Sequence, residues 1–214
     1  MEEKEFYRRH LPHIQPKGGL FFVTYSLYGS VPKDKLLYIK EEYETLKHKE
    51  KKNYEEEKQL AIMAQRKYIQ NLDAILLGSV SGPHYMKDDR VANIVSESLH
   101  FWDNKSIELY CYTIMSNHVH VVFRLLNNTE TENEKQLNEI MHSIKRYSAW
   151  KANKLLNRQG QFWMSESFDY LIRDKDELKR IIEYILDNPI KAGLCNERKE
   201  WTWSYIKEEY NEFM

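Results

Sequence analysis

With 214 residues and a formal net charge of -1 at pH 7, the chain is long enough for one domain with an appendage, and no global basic field announces a nucleic-acid partner. Hydrophobic residues at 42% and aromatics at 13% suffice for a core, while 30% charged residues and a mean hydropathy of -0.73 call for much solvated helix. Cys111 and Cys195 alone make neither a disulfide framework nor a thiolate zinc site, and the charged start and short apolar runs offer neither signal peptide nor membrane span, so the reading is a soluble, cytoplasmic protein with no membrane partner.

Residues 1–17 read as an extended lead-in. In residues 20–29, Phe21, Val23, Tyr25 and Leu27 fall on one face and Thr24 and Ser26 on the other, which predicts a half-buried strand closed by a Gly-Ser-x-Pro turn. Residues 33–77 are a different material, rich in Lys, Glu and Gln and free of Pro and Gly. Leu36, Leu37, Ile39 and Tyr43, then Leu60, Met63, Tyr68, Leu72 and Ile75, recur at helical intervals. They predict two long helices, or a helical hairpin broken near residues 49–57, as a charged insertion in a single domain spanning 1–214. Residues 49–52 could touch DNA, but Glu55, Glu56 and Glu57 follow, and mixed signs favour a solvated face.

Gly82-Pro83 marks a turn, and Asp88 or Asp89 can cap a helix with the stripe Val91, Ile94, Val95, Leu99 and Trp102. A strand over 107–114, a turn at Met115-Ser116-Asn117 and a second strand follow. Along that second strand His118, His120, Val122 and Arg124 share one face, and Val119, Val121, Phe123 and Leu125 the other. The two imidazoles start from Cα atoms about 6.5–7 Å apart, so both rings can converge on one metal ion. On spacing alone the plainer reading prevails, two polar residues on the wet face of an antiparallel sheet.

A helix over about 134–157 carries the stripe Leu137, Ile140, Met141, Ile144 and Trp150. Residues 141–165 hold Lys145, Arg146, Lys151, Lys154 and Arg158 and no acid, with Tyr147, Trp150, Phe162 and Trp163 interleaved. Cations beside stacking rings suit single-stranded nucleic acid, against the plainer reading of a solvated helix. After Gly160, residues 168–172 predict a strand, and Asp174 opens a helix through Leu178, Ile181, Ile182, Ile185 and Leu186 that Pro189 ends or bends. Tyr184 and Asn188 lie one turn apart on a shared face, which packing and a helix exit also explain.

Four blocks in order resemble the REP-associated tyrosine transposases, a branch of the single-tyrosine insertion-sequence transposases in the HUH nuclease superfamily. They are Met115 to His120; Gly160-Gln161-Phe162-Trp163; Tyr184 to Leu194, with Asn188-Pro189 inside; and Trp201-Thr202-Trp203-Ser204. The resemblance spans about 11–203, interrupted by the charged segment; Ser116 stands where the family usually has Pro, and the net charge is low for a DNA-handling protein. It implies an α+β, ferredoxin-like core whose antiparallel sheet carries packed helices. It also implies Mg²⁺ or Mn²⁺ held by His118, His120 and Asn188, with Tyr184 as nucleophile. The implied activity is metal-dependent cleavage and rejoining of hairpin-bearing, REP-like single-stranded DNA through a covalent 5′-phosphotyrosine, by a monomer or homodimer. Lys145, Arg146, Tyr147, Lys151, Lys154, Arg158 and Trp163 are the candidate DNA contacts. One alternative is an inactive or domesticated binder of DNA or RNA hairpins; another is a metal-dependent phosphoesterase for small substrates, for which two histidines without nearby carboxylates are a poor site.

Overall fold

A computed structural model of the chain describes residues 6–8, 12–14, 16–49, 53–79, 82–126 and 135–214. They form two compact units, Met1–Leu27 with His84–Met214, and Tyr28–Pro83.

The first unit is built on a five-stranded antiparallel sheet. Two short strands, β1 (Phe6–Arg8) and β2 (Pro12–Ile14), pair with each other outside it. The sheet contains β3 (Leu20–Ser26), β4 (Ile107–Ile114), β5 (His118–Leu125), β6 (Phe168–Ile172) and β7 (Ser204–Ile206), in the order β6-β3-β5-β4-β7. Its helices are α3 (Asp89–His100), α4 (Leu137–Leu155), α5 (Lys175–Leu186) and the short α6 (Asn188–Lys191). The succession β3-α3-β4-β5-α4-β6 with spatial order β6-β3-β5-β4 is the ferredoxin-like arrangement, and β7 adds an edge beside β4.

Cross-strand partners project to the same side of a sheet. Register pairs Phe21 with Phe123, Val23 with Val121 and Tyr25 with Val119. These join Val95 and Leu99 of α3 and Leu137, Ile140 and Ile144 of α4 in one buried cluster. Phe22 with Val122, Thr24 with His120 and Ser26 with His118 project to the opposite side. The predicted strand alternation is therefore observed, and the sheet has an apolar helix-covered face and a face bearing both histidines.

Local chemistry sets the boundaries. Asp88 caps α3 by accepting from the Arg90 amide at 3.0 Å. Pro189 has no N–H to continue the α5 ladder, so α5 stops at Leu186 and α6 resumes after one turn residue, Asp187. Gly193, at φ +67°, then ends α6, with the Leu194 amide donating to Pro189 O and the Gly193 amide to Ile190 O, both at 2.9 Å.

The second unit is an antiparallel pair of helices, α1 (Lys33–Lys47) and α2 (Tyr54–Leu77). Tyr43 meets Tyr68 edge to face, and Glu42 takes Asn71 at 2.6 Å. Asn53 caps α2 by accepting from the Glu56 amide, and Glu55, Glu56 and Glu57 sit in the first turn, where the helix dipole favours negative charge. Leu37 and Met63, read from spacing as apolar-face residues, are exposed.

Candidate active site

The two histidines enter the site from the start of β5, just after the turn that β4 and β5 share. The Met115 amide donates to His118 O at 2.9 Å to close that turn, and the Leu27 amide donates to Asn117 O at 2.8 Å. Ser116 keeps the turn through its hydroxyl, 2.8 Å from Nδ1 of His84. Both imidazoles are buried, with ring centroids 4.7 Å apart.

Each ring is oriented through Nδ1. His118 Nδ1 lies 2.7 Å from Asn117 Oδ1, and His120 Nδ1 lies 2.7 Å from Thr24 Oγ1. A carboxamide oxygen only accepts, so His118 Nδ1 carries a proton, and in the neutral ring that tautomer leaves the lone pair on Nε2. A threonine hydroxyl can accept as well, which allows His120 the same tautomer. An oxygen partner on one ring nitrogen that leaves the other to ligate is the usual arrangement of metal-binding histidine.

Tyr184 reaches the same face from α5. Its ring is half-buried, 6.1 Å from the His120 centroid and 6.3 Å from that of Phe22. Phe22 also meets His120 at 5.6 Å and Phe168 at 6.4 Å, so it is the apolar floor on which the phenol and the imidazole both rest. Lys191 places Nζ 4.8 Å from the Tyr184 ring centroid.

Asn188 opens α6, one turn beyond Tyr184, and is 1% exposed. Its Oδ1 is buried and has no hydrogen-bond partner among the described residues. A buried amide oxygen without a donor is costly unless something else meets it. Two imidazoles and an amide oxygen are a donor set that suits Mn²⁺ or Mg²⁺, so these residues fit a divalent cation.

The helix that carries Tyr184 is fastened at both ends. At its start, Asp174 accepts from the Glu177 amide at 2.7 Å, and the buried Glu177 carboxylate accepts from the Tyr170 hydroxyl and, at 2.9 Å, from the Arg173 amide. At its end, Arg198 Nε lies 2.7 Å from Asp187 Oδ1 while its Nη1 donates to Phe213 O at 2.7 Å.

The basic set lies elsewhere. α4 packs on the apolar side of the sheet, opposite the histidines. Lys145 donates to Ser165 O and to Ser167 Oγ, each at 3.1 Å, and Lys151 pairs with Glu97 at 3.3 Å. Arg158 donates to Asn153 and Gln161 and lies over the Tyr85 ring, clamping the chain after α4. Arg146, Tyr147, Trp150 and Lys154 are exposed. Trp163 corrects the sequence reading: it is 4% exposed, packed 4.8 Å from Tyr25, and donates Nε1–H to Ser148 Oγ at 3.0 Å, so it has no face for a base. Trp150, read as part of the buried stripe, is 62% exposed.

Thr24 and Phe22 carry no signal of their own, while Asn117 and Lys191 lie inside the motif blocks without a role assigned from sequence. Thr24 was placed on the polar face of its strand, but only the β3–β5 register puts it opposite His120.

Residues 84–188 match the family described as "Transposase IS200 like". Just under half of the chain is therefore similar to the IS200-like transposases. A Haemophilus influenzae protein named as a REP-associated tyrosine transposase is 25% identical over 107 residues, 45% of this chain and 57% of that protein. The chain thus spans little more than half the length of that relative. A solved structure of a REP-associated tyrosine transposase bound to a REP hairpin superposes over 95% of this chain and 82% of its own, with a TM-score of 0.49 and 15% identity. Within the matched residues 84–188 lie the histidine pair, Tyr184 and Asn188. Among the described residues no helix is long and apolar enough to cross a membrane.

Proposed function

We propose that the chain cleaves and rejoins single-stranded, hairpin-associated DNA through a covalent link to Tyr184. The observation that carries this reading is the 6.1 Å approach of the Tyr184 ring to His120, on a sheet face where His118 and His120 stand side by side. The IS200-like family match across residues 84–188 and the name of the Haemophilus relative support DNA with REP-like hairpins as the partner.

In the proposed step the Tyr184 oxygen forms a bond to the scissile phosphorus as the P–O3′ bond breaks. The phenol gives its proton to solvent, and the leaving 3′ oxygen takes one up as a hydroxyl. The phosphotyrosine keeps the phosphoester bond, so a second 3′-OH can reverse the exchange without a nucleotide cofactor.

His118, His120 and Asn188 would hold Mg²⁺ or Mn²⁺, which when bound supplies Lewis-acid polarisation of a phosphate oxygen. Thr24 and Asn117 keep the imidazoles turned, and Phe22 sets the depth of the phenol. Holding nucleophile and phosphate together supplies much of the rate in such transfers.

The test is incubation with single-stranded DNA from the flanks of its own gene, hairpin included, with Mg²⁺ or Mn²⁺. A protein–DNA band that survives denaturation is expected. Binding without any such band would leave the alternative of an inactive hairpin binder.

A further inference from the structure

We infer that Lys191 is a phosphate contact of the same site, a cation that meets the backbone of the strand presented to Tyr184. This deepens the strand-transfer reading and rests on it.

Position comes first. Tyr184 and Lys191 belong to successive helical segments, separated by the Pro189 interruption. The Gly193 cap ends α6 just after Lys191, which fixes the start of its side chain in the last turn. The ammonium thereby comes to lie 4.8 Å from the Tyr184 ring centroid. That is cation–π distance, and the aromatic face holds the lysine without cancelling its charge.

The second observation is electrostatic. Among the described residues, Lys191 is exposed, and its ammonium lies over the Tyr184 ring with no carboxylate partner. Several other cations of this unit are held in ion pairs: Lys207 and Arg124 with Glu108, Arg173 with Glu177, Arg198 with Asp187, and Lys151 with Glu97. An uncompensated cation held beside a nucleophile, on a surface that must accept a polyanion, is what phosphate recognition requires.

Chemistry gives it work in the transfer. While Tyr184 Oη forms its bond to phosphorus and the 3′ oxygen leaves, charge concentrates on the non-bridging oxygens. A fixed ammonium is worth most where charge develops. Lys191 neither gives nor takes a proton in this step; the phenol proton still goes to solvent and the 3′ oxygen is still protonated on leaving.

The experiment compares wild type, Lys191→Met, Lys191→Arg and Tyr184→Phe on the labelled hairpin-bearing oligonucleotide. Met keeps the stem on the ring and removes the charge; Arg keeps the charge. Lys191→Met is expected to slow adduct formation about a hundredfold. It should also lower the slope of log affinity against log salt by about 0.7, the value for one phosphate on a single strand. Lys191→Arg should restore both, and thermal unfolding should not distinguish the variants. Wild-type rate and slope in Lys191→Met overturn the proposal, as does loss of both that Arg fails to restore. Failure of the transfer reading looks different: wild type then forms no Tyr184-dependent adduct, and the salt slope still decides whether Lys191 touches phosphate.

Discussion

Thr24 Oγ1 lies 2.7 Å from His120 Nδ1 across the β3–β5 pairing, so a residue nearly a hundred positions away sets how the second imidazole is turned. Removing that hydroxyl while keeping the shape isolates its contribution. Thr24→Val is expected to weaken Mn²⁺ binding about ten- to a hundredfold, the usual cost of losing a histidine's orienting partner. Titration followed by the paramagnetic signal of free Mn²⁺ reads this without any DNA; undiminished affinity would mean that the hydroxyl does not orient a ligand.

Tyr184→Phe keeps the ring on Phe22 and deletes only the phenol oxygen that the proposal makes the nucleophile. The covalent band should disappear while hairpin affinity and melting temperature stay within error of wild type. A persistent adduct would move the nucleophile to another of the fifteen tyrosines.

Trp163 should behave as a core residue. Trp163→Ala removes a large buried side chain and is expected to cost roughly 3–5 kcal/mol of stability. Chemical denaturation measures this directly. A variant of wild-type stability that bound DNA poorly would restore the stacking role that burial denies it.

Arg146 and Lys154 are the exposed cations of α4. If nucleic acid also lies along this helix, replacing both by Ala lowers the salt slope by about 0.7–0.9 per residue, from single strand to duplex. An unchanged slope confines the DNA to the histidine side of the sheet.

The tail carries an acid-sensitive tie. Burial alone would raise the Glu108 carboxyl, but hydrogen bonds from Lys207 and Tyr110, with the charges of Lys207 and Arg124, outweigh it and hold the group below its ordinary range. A depressed carboxyl contributes stability that is complete above its unfolded value, about 4.3 for glutamate, and is lost as pH falls through the folded value. Lys207→Met should therefore cost about 0.5–1 kcal/mol at neutral pH and nothing once Glu108 is protonated. Denaturation curves for both proteins across the acid range check the sign.

Strand alternation made the sheet legible: the predicted limits of β4 and β6 are those observed, because period-two patterns survive tertiary packing. The faces of α4 were less legible. Its inward row continues through Ile140, Ile144, Ser148 and Ala152, four apart. Ser148 and Ala152 are small, and Phe162 and Trp163 fill the room they leave. A polar Ser in a core row hides the row, so the sequence pattern points Trp150 inward and Trp163 outward, the reverse of what packing requires. In the site, the histidine face could be read from one strand alone. Its supports could not, since Thr24 meets His120 only through pairing, and Lys191 meets Tyr184 only past a proline whose bend spacing does not specify.

The anchoring of α5 has a consequence for how strands are exchanged. Glu177 with Tyr170 secures the start of the helix, and Arg198 with Asp187 secures its end. An arm tied down at shoulder and wrist would have to break both ties to carry an attached DNA end across to a second centre, as the proposed chemistry would otherwise allow. On the proposed mechanism, a DNA end joined to Tyr184 would stay where it was made, and the free 3′ end would have to travel.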